Sequence, residues 1–182
     1  MKKIYKNYSS LFLFSGLIIG LDQLTKALVR KYIPLGGSWM PIEWLQPYAR
    51  VVHWYNTGAA FGLFQNGSLI FGTLAIIVII LIIYYYPQVP KNDWTFRSAL
   101  VLQLAGAAGN LIDRIVFGGR VTDFISLGKF AVFNIADSSI SIGVAVLLIG
   151  TWVKDREQKK RKVDPPLEIN EIVSTNDGSK NE

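Results

Sequence analysis

Carboxylates and carboxamides recur at helical spacing along this 182-residue chain, inside stretches that are otherwise apolar. Asp22 and Lys26 stand one helical turn apart. Asn110, Asp113 and Arg114 follow an i, i+3, i+4 pattern, and so do Asn134, Asp137 and Ser138, so each trio shares a helix face. Asp123 falls between the trios, fourteen residues before Asp137. Asp137 has no basic residue within a turn, which makes Asp123 its natural charge partner. Two carboxylates in one partly desolvated place cannot both ionise cheaply, so one keeps a proton. Such a pair supplies a base to activate water and an acid to protonate a leaving amine, the logic of an aspartic protease.

The rest of the inventory narrows the chemistry. There is no cysteine, which excludes disulfides, thiolate nucleophiles and thiolate metal sites. The lone histidine, His53, cannot build an HExxH or other His-rich zinc site, and it reads as a loop residue of no special role. No metal or organic cofactor is expected. The net charge of +6 invites a nucleic-acid partner, but its placement argues for a membrane surface and against nucleic acid.

The elements that must position these groups are membrane spans. The chain is 51% hydrophobic, has a mean hydropathy of +0.31, and concentrates its charge in the last thirty residues. Four segments reach the roughly 20 apolar residues a spanning helix needs: 10–29, 68–86, 98–117 and 130–153. All should be helical, because backbone groups in lipid must be bonded within the segment. No small-x-small cleavage site follows the first segment, so it reads as a retained span and not as a leader. Residues 1–153 thus form an all-α, four-helix transmembrane domain with one long outer loop, about 30–67. In that loop RVVHWY has strand-like alternation, and GSWMPIEWL reads as an amphipathic interfacial piece. Residues 154–182 read as a basic cytoplasmic tail: KDREQKKRK should lie on anionic headgroups, and the remainder should be disordered.

Orientation follows from Lys and Arg. With a cytoplasmic N-terminus, twelve lie inside, six outside and Lys26 within a span. Both termini are then cytoplasmic. Trp39, Trp44, Tyr48, Trp54 and Tyr55 mark the outer boundary, and Tyr84, Tyr85, Tyr86, Trp94 and Trp152 the inner one. In this topology Asp22, Asp113, Asp123 and Asp137 all fall towards the outer leaflet, with Asp123 in the short loop joining the third and fourth helices. Several readings remain open. Asp22 and Lys26 neutralise each other or serve a site. Asp113 and Arg114 anchor an interface or line a pocket. Asn110 and Asn134 bond between helices or act in catalysis. Ala105, Gly106, Ala108 and Gly109 should permit close helix packing, and Gly58 and Gly62 should serve backbone turns.

Five blocks in register give the chain a resemblance to bacterial lipoprotein signal peptidase (signal peptidase II). They are DQLTK at 22–26, NTGAAFG at 56–62, GNLIDR at 109–114, VTDF at 121–124 and FNIADS at 133–138. The resemblance covers about residues 11–153 and implies an aspartic endopeptidase of the bacterial inner membrane. Its substrates are prolipoproteins, cut just before a diacylglyceryl-modified cysteine. Asp123 and Asp137 then form the catalytic dyad. Asn56, Asn110, Asp113, Arg114 and Asn134 orient substrate or hold the dyad, and Asp22 and Lys26 support them. The resemblance also implies a small extracytoplasmic β-cradle with an interfacial helix, membrane lipid as partner, and inhibition by globomycin-type antibiotics in the same cleft. A monomer suffices for this site. The stretch FISLGKFAVFNIA between the aspartates is shorter than in some family members, and the tail beyond Val163 has no counterpart among them. Three rivals stand beside this reading: a proton-coupled transporter, a lipid-linked sugar enzyme with a carboxylate pair, and a metal-dependent membrane hydrolase.

Overall fold

The computed structural model describes residues 2–58 and 67–163, with side chains over 8–58 and 67–159. Four helices, α1 (Lys2–Tyr32), α2 (Ser68–Tyr85), α3 (Trp94–Val116) and α4 (Ile135–Val163), are each long and apolar enough to cross a membrane. Strands β1 (Ser38–Trp39) and β2 (Ala49–Asn56) follow α1, and β3 (Val121–Leu127) lies between α3 and α4. The three strands form an antiparallel sheet in the order β1-β2-β3. The expected interfacial helix is a single 3-10 turn, Glu43–Leu45. The chain divides into two compact units, Met1–Leu148 and Ile149–Glu182.

The bundle is packed as lipid demands. Long apolar side chains such as Leu17, Leu24, Ile80 and Leu148 point outward, while Asp22, Lys26, Asp113 and Asn134 are enclosed. A small apolar core of Leu11, Ile82, Tyr86, Val101 and Leu104 ties α1, α2 and α3 together. Tyr86 is enclosed in this core, where its hydroxyl shares a 2.8 Å hydrogen bond with Ser10.

Helix α3 opens at Trp94, four residues before the expected start, because the Asp93 side chain accepts from the Phe96 amide and caps it. It closes with Gly118 in the left-handed region (φ 60°). The amides of Phe117 and Gly119 bond back to Asp113 and Arg114, so only a residue without a Cβ sits there easily. The chain then enters β3, and Asp123 is therefore a strand residue and not a loop residue. The fourth helix starts at Ile135 and not at Phe130. Phe133 instead bridges to Ile125 and extends the sheet. Beyond Val153, through the basic stretch KDREQKKRK, α4 stays helical to Val163, and an Asp155–Lys159 pair at 2.7 Å supports that part of it. The expected disorder of residues 164–182, the side chains of Lys160, Arg161 and Lys162, Lys180, and the turn role of Gly62 lie outside the described residues.

His53 is likewise no loop residue. It lies buried on β2 beside the irregularity in the β2–β3 register, with Nδ1 2.7 Å from the Ile33 carbonyl oxygen.

Small residues let α3 and α4 touch, as the sequence anticipates. A Cβ on Gly106 would overlap the Ala136 carbonyl and the Ile140 side chain, and one on Gly109 would sit 2.8 Å from Asp22 Oδ2. Gly106→Ala should therefore lower the thermal unfolding midpoint in detergent, by an overpacking cost of about 1–3 kcal/mol. Gly16→Ala, where a Cβ meets nothing within 4 Å, should leave the midpoint unchanged or raise it. Equal effects at the two glycines would refute close α3–α4 packing.

Candidate active site

The N-terminus of α4 is the organising point. Asn134 precedes the helix, and its Oδ1 accepts from the Asp137 amide at 2.9 Å. Asp137 Oδ2 reciprocates, accepting from the Asn134 amide at 3.2 Å. This is a capping box written Asn-x-x-Asp. Asp22, reaching from α1, takes the Ala136 amide on Oδ1 at 3.0 Å. The amides of Asn134, Ala136 and Asp137 at this helix end are thus satisfied by side chains, and the same bonds fix Asp137 in place.

Asp123 is positioned by the sheet. Val121 pairs with Asn56, so Asn56 and Asp123 are diagonal neighbours on one face of the ribbon. Asn56 Nδ2 donates to Asp123 Oδ2 at 3.0 Å, while Asn56 Oδ1 accepts from the Gly58 amide at 2.9 Å and fixes the orientation of its carboxamide. Asn134 Nδ2 donates to Asp123 Oδ1 at 2.7 Å. Asn110 Nδ2 donates to Asp137 Oδ1 at 2.7 Å. Each of the four carboxyl oxygens of the two aspartates therefore has its own donor, and Asn134 touches both residues.

A second layer sets the asparagines. Lys26 Nζ donates to Asn110 Oδ1 at 3.1 Å, which turns the other end of that carboxamide towards Asp137. Lys26 also pairs with Asp22 at 2.8 Å and lies 3.6 Å from Asp113. Asp113 accepts from the Thr122 amide at 2.8 Å, holding the start of β3 against α3. Asp22 and Lys26 thus do neutralise each other and serve the site as well. The anchor reading of Asp113 fails, because its side chain is fully enclosed and faces α1 and β3. Both asparagines bond between elements and do so directly onto the aspartates.

All nine residues singled out by sequence converge, in two tiers. Asn56, Asn110, Arg114, Asp123 and Asp137 line a cavity of about 770 Å³, walled by apolar side chains of α2 and α4 such as Phe71, Leu74, Val78 and Ile140. Asp22, Lys26, Asp113 and Asn134 lie behind that wall. Among the described residues Arg114 is bonded through Nη1, 3.4 Å from the Asn110 carbonyl, with its guanidinium over the Phe71 ring, and its Nε has no hydrogen-bond partner. Burial pushes the Asp123 carboxyl up from 3.8 to about 7. The Asp137 charge adds to the rise, against the Asn56 and Asn134 hydrogen bonds and the Lys26 charge.

Three supporting groups escaped the sequence reading. Gln23 Nε2 reaches Asp22, the Gly109 carbonyl and Asp113. Arg30 donates to the Thr122 hydroxyl at 2.8 Å and stacks over Phe117. Thr122 itself presents the amide that Asp113 accepts. A signal existed for the first two, since Asp22, Gln23, Lys26 and Arg30 form an i, i+1, i+4, i+8 stripe on one side of α1.

Comparison with known proteins bears on the family and the fold. A family model described as Signal peptidase (SPase) II matches residues 14–153. The lipoprotein signal peptidase of Halalkalibacterium halodurans is 38% identical over 155 residues, covering 83% of this chain and 97% of that protein. That of Bartonella tribocorum is 42% identical over 158 residues, covering 80% and 91%. Among solved structures, a bacterial membrane enzyme determined by the in meso method at 2.3 Å superposes with a TM-score of 0.73 at 32% identity. That match covers 82% of this chain and 91% of the other.

Proposed function

We propose, because this chain belongs to the signal peptidase (SPase) II family, that it is an aspartic endopeptidase cutting prolipoproteins just before the diacylglyceryl-modified cysteine. Family membership supports the removal of prolipoprotein signal peptides by a multi-pass membrane protease. The observation that carries the aspartic mechanism is the bonding of Asp123 and Asp137 to one shared residue, Asn134, on the wall of one cavity.

The charge balance supports a single shared proton. Asp22, Asp113, Asp123 and Asp137 stand against Lys26, Arg30 and Arg114, so four acids meet three bases. One proton on the dyad makes the cluster neutral, the inexpensive state in a membrane. One carboxylate takes a proton from water as the oxygen attacks the scissile carbonyl. The other carboxyl first hydrogen-bonds the carbonyl oxygen, and its proton passes to the leaving amine as the tetrahedral intermediate collapses. Both termini are cytoplasmic in this reading, and the dyad faces the outer leaflet. The acyl chains stay in lipid beside the apolar wall of the cavity, and membrane depth positions the bond. Residues 1–153 carry the activity, and 154–182 the cytoplasmic tail. Globomycin-type inhibitors occupy the same cleft.

Purified protein should cleave a diacylglyceryl prolipoprotein equally well with and without EDTA. The pH dependence has a definite sign. The reacting form holds one proton on the dyad, and that proton leaves as pH rises through the Asp123 value of about 7. The kcat/KM should therefore hold up to neutrality and fall above it, about tenfold per pH unit. Activity that rises through the same range, or that EDTA removes and metal restores, rejects the aspartic mechanism.

A further inference from the structure

The cavity continues past the aspartates towards the opposite end of the bundle, and there it carries polar groups that the dyad does not use. Gln103, on α3, lines it beside Ser141 on α4. Neither residue belongs to the five blocks shared with the family. Gln103 is seven residues before Asn110, about 10 Å along the helix at 1.5 Å per residue, and Ser141 is one turn beyond Asp137. The two helices run antiparallel, with Gly143 against Leu102 and Gln103, so both groups lie on the same side of the dyad.

The seat of Gln103 is built. Its Nε2 donates to the Ile140 carbonyl at 3.1 Å, and the absence of a side chain at Gly143 makes room for it: a Cβ there would come within 3.2 Å of Nε2. That single bond leaves Oε1 without a partner among the described residues. Ser138 and Ser139 bond back to the preceding turn through their hydroxyls, whereas the Ser141 hydroxyl has no such bond. Among the described residues an acceptor and a hydroxyl are thus unpaired on a stretch of wall that includes the apolar Leu74, Val78, Ala107 and Ile142.

A peptide bond is cut in extended form, so the segment beside it must leave the helix that satisfied its amides in lipid. At membrane depth each freed N–H and C=O costs several kcal/mol unless the enzyme pairs it. An extended chain advances about 3.4 Å per residue, so a group about 10 Å from the dyad meets the substrate roughly three residues from the scissile bond. We propose that Gln103 Oε1 accepts a backbone N–H of the unwound signal peptide, about three residues before the scissile bond, with the Ser141 hydroxyl donating to a neighbouring carbonyl. This subsite rests on the proteolytic reading above. It makes Gln103 a substrate-positioning residue of this chain, one that stabilises the extended form of the substrate independently of side-chain identity.

The test uses diacylglyceryl substrate peptides in which one amide, two, three or four residues before the scissile bond, is replaced by an ester that lacks the N–H. They are compared with the all-amide peptide on wild-type protein and on Gln103→Met, or Gln103→Leu should Met not fold. The ratio of ester to amide kcat/KM is read within each variant, so a general loss of folded protein cancels. One ester should lower wild-type kcat/KM about tenfold and have no further effect once residue 103 lacks its acceptor. Ser141→Ala should raise KM for the all-amide peptide by about threefold to tenfold. Ester penalties that are the same in wild type and variant overturn the subsite while leaving the protease assignment intact. Failure of wild-type protein to cut the all-amide peptide overturns both.

Discussion

Asp123→Asn and Asp137→Asn should each reduce cleavage of a diacylglyceryl prolipoprotein by at least about a thousandfold, with the protein still folded. Neither change alters volume. In each variant one side-chain oxygen survives to accept from its asparagine partner. What disappears is the ability to take a proton from water or to give one to the leaving amine. At position 123 the new amide group meets a donor, because Asn56 cannot turn over without losing the Gly58 amide. That conflict costs about 1–3 kcal/mol, set against relief of the repulsion between two acids. Thermal unfolding midpoints in detergent should therefore stay close to wild type while the rate collapses. A folded variant retaining even a tenth of wild-type activity removes that residue from the dyad.

Lys26→Met has the second large effect, and it acts through structure. The ammonium lies against Asp22, Asp113 and Asn110 in a place closed to solvent. Methionine fills the volume but leaves two enclosed acids without their shared cation, a loss on the order of 3–5 kcal/mol. Asn110 Oδ1 then keeps only its hydrogen bond from Asn134 Nδ2, so the donor that Asn110 presents to Asp137 is less firmly held. The variant should unfold at clearly lower temperature and be nearly inactive in the fraction that stays folded. Lys26→Arg should not restore it, since a planar fork cannot replace a compact charge among three oxygens. Wild-type stability in Lys26→Met would show that the lysine is not the pivot of the buried network.

Much of this arrangement is legible before any coordinates, and the parts that are not have identifiable causes. Hydropathy places four spans because lipid imposes length and composition on a helix far more strictly than water does. Helical spacing groups Asn110 with Asp113 and Asn134 with Asp137, since a polar face among apolar residues has to find company. Strand β3 is hidden because both of its faces are covered from Val121 to Phe124, so the polar–apolar alternation that marks a half-exposed strand is absent. The start of α4 is misplaced because FAVF is as apolar as a helix. Hydropathy cannot register that Phe133 bonds to Ile125 in the sheet, whereas the Asn134–Asp137 capping pattern could have marked the true boundary. His53 is misread for a related reason, a polar residue on the covered side of an irregular strand. The α1 stripe that carries Gln23 and Arg30 could have marked them as facing the site, but their partners lie some 90 residues away and cannot be read from that spacing.

The proposed sharing of one proton between Asp123 and Asp137 can be tested directly, by infrared spectroscopy of protein carrying isotope-labelled aspartate, titrated from about pH 5 to about pH 8. The wild-type protein should show a protonated carboxyl band at the acid end that fades as pH passes about 7, and the Asp123→Asn/Asp137→Asn double variant should lack it. A wild-type spectrum with both carboxyls ionised across the whole range would contradict a dyad that works by sharing one proton.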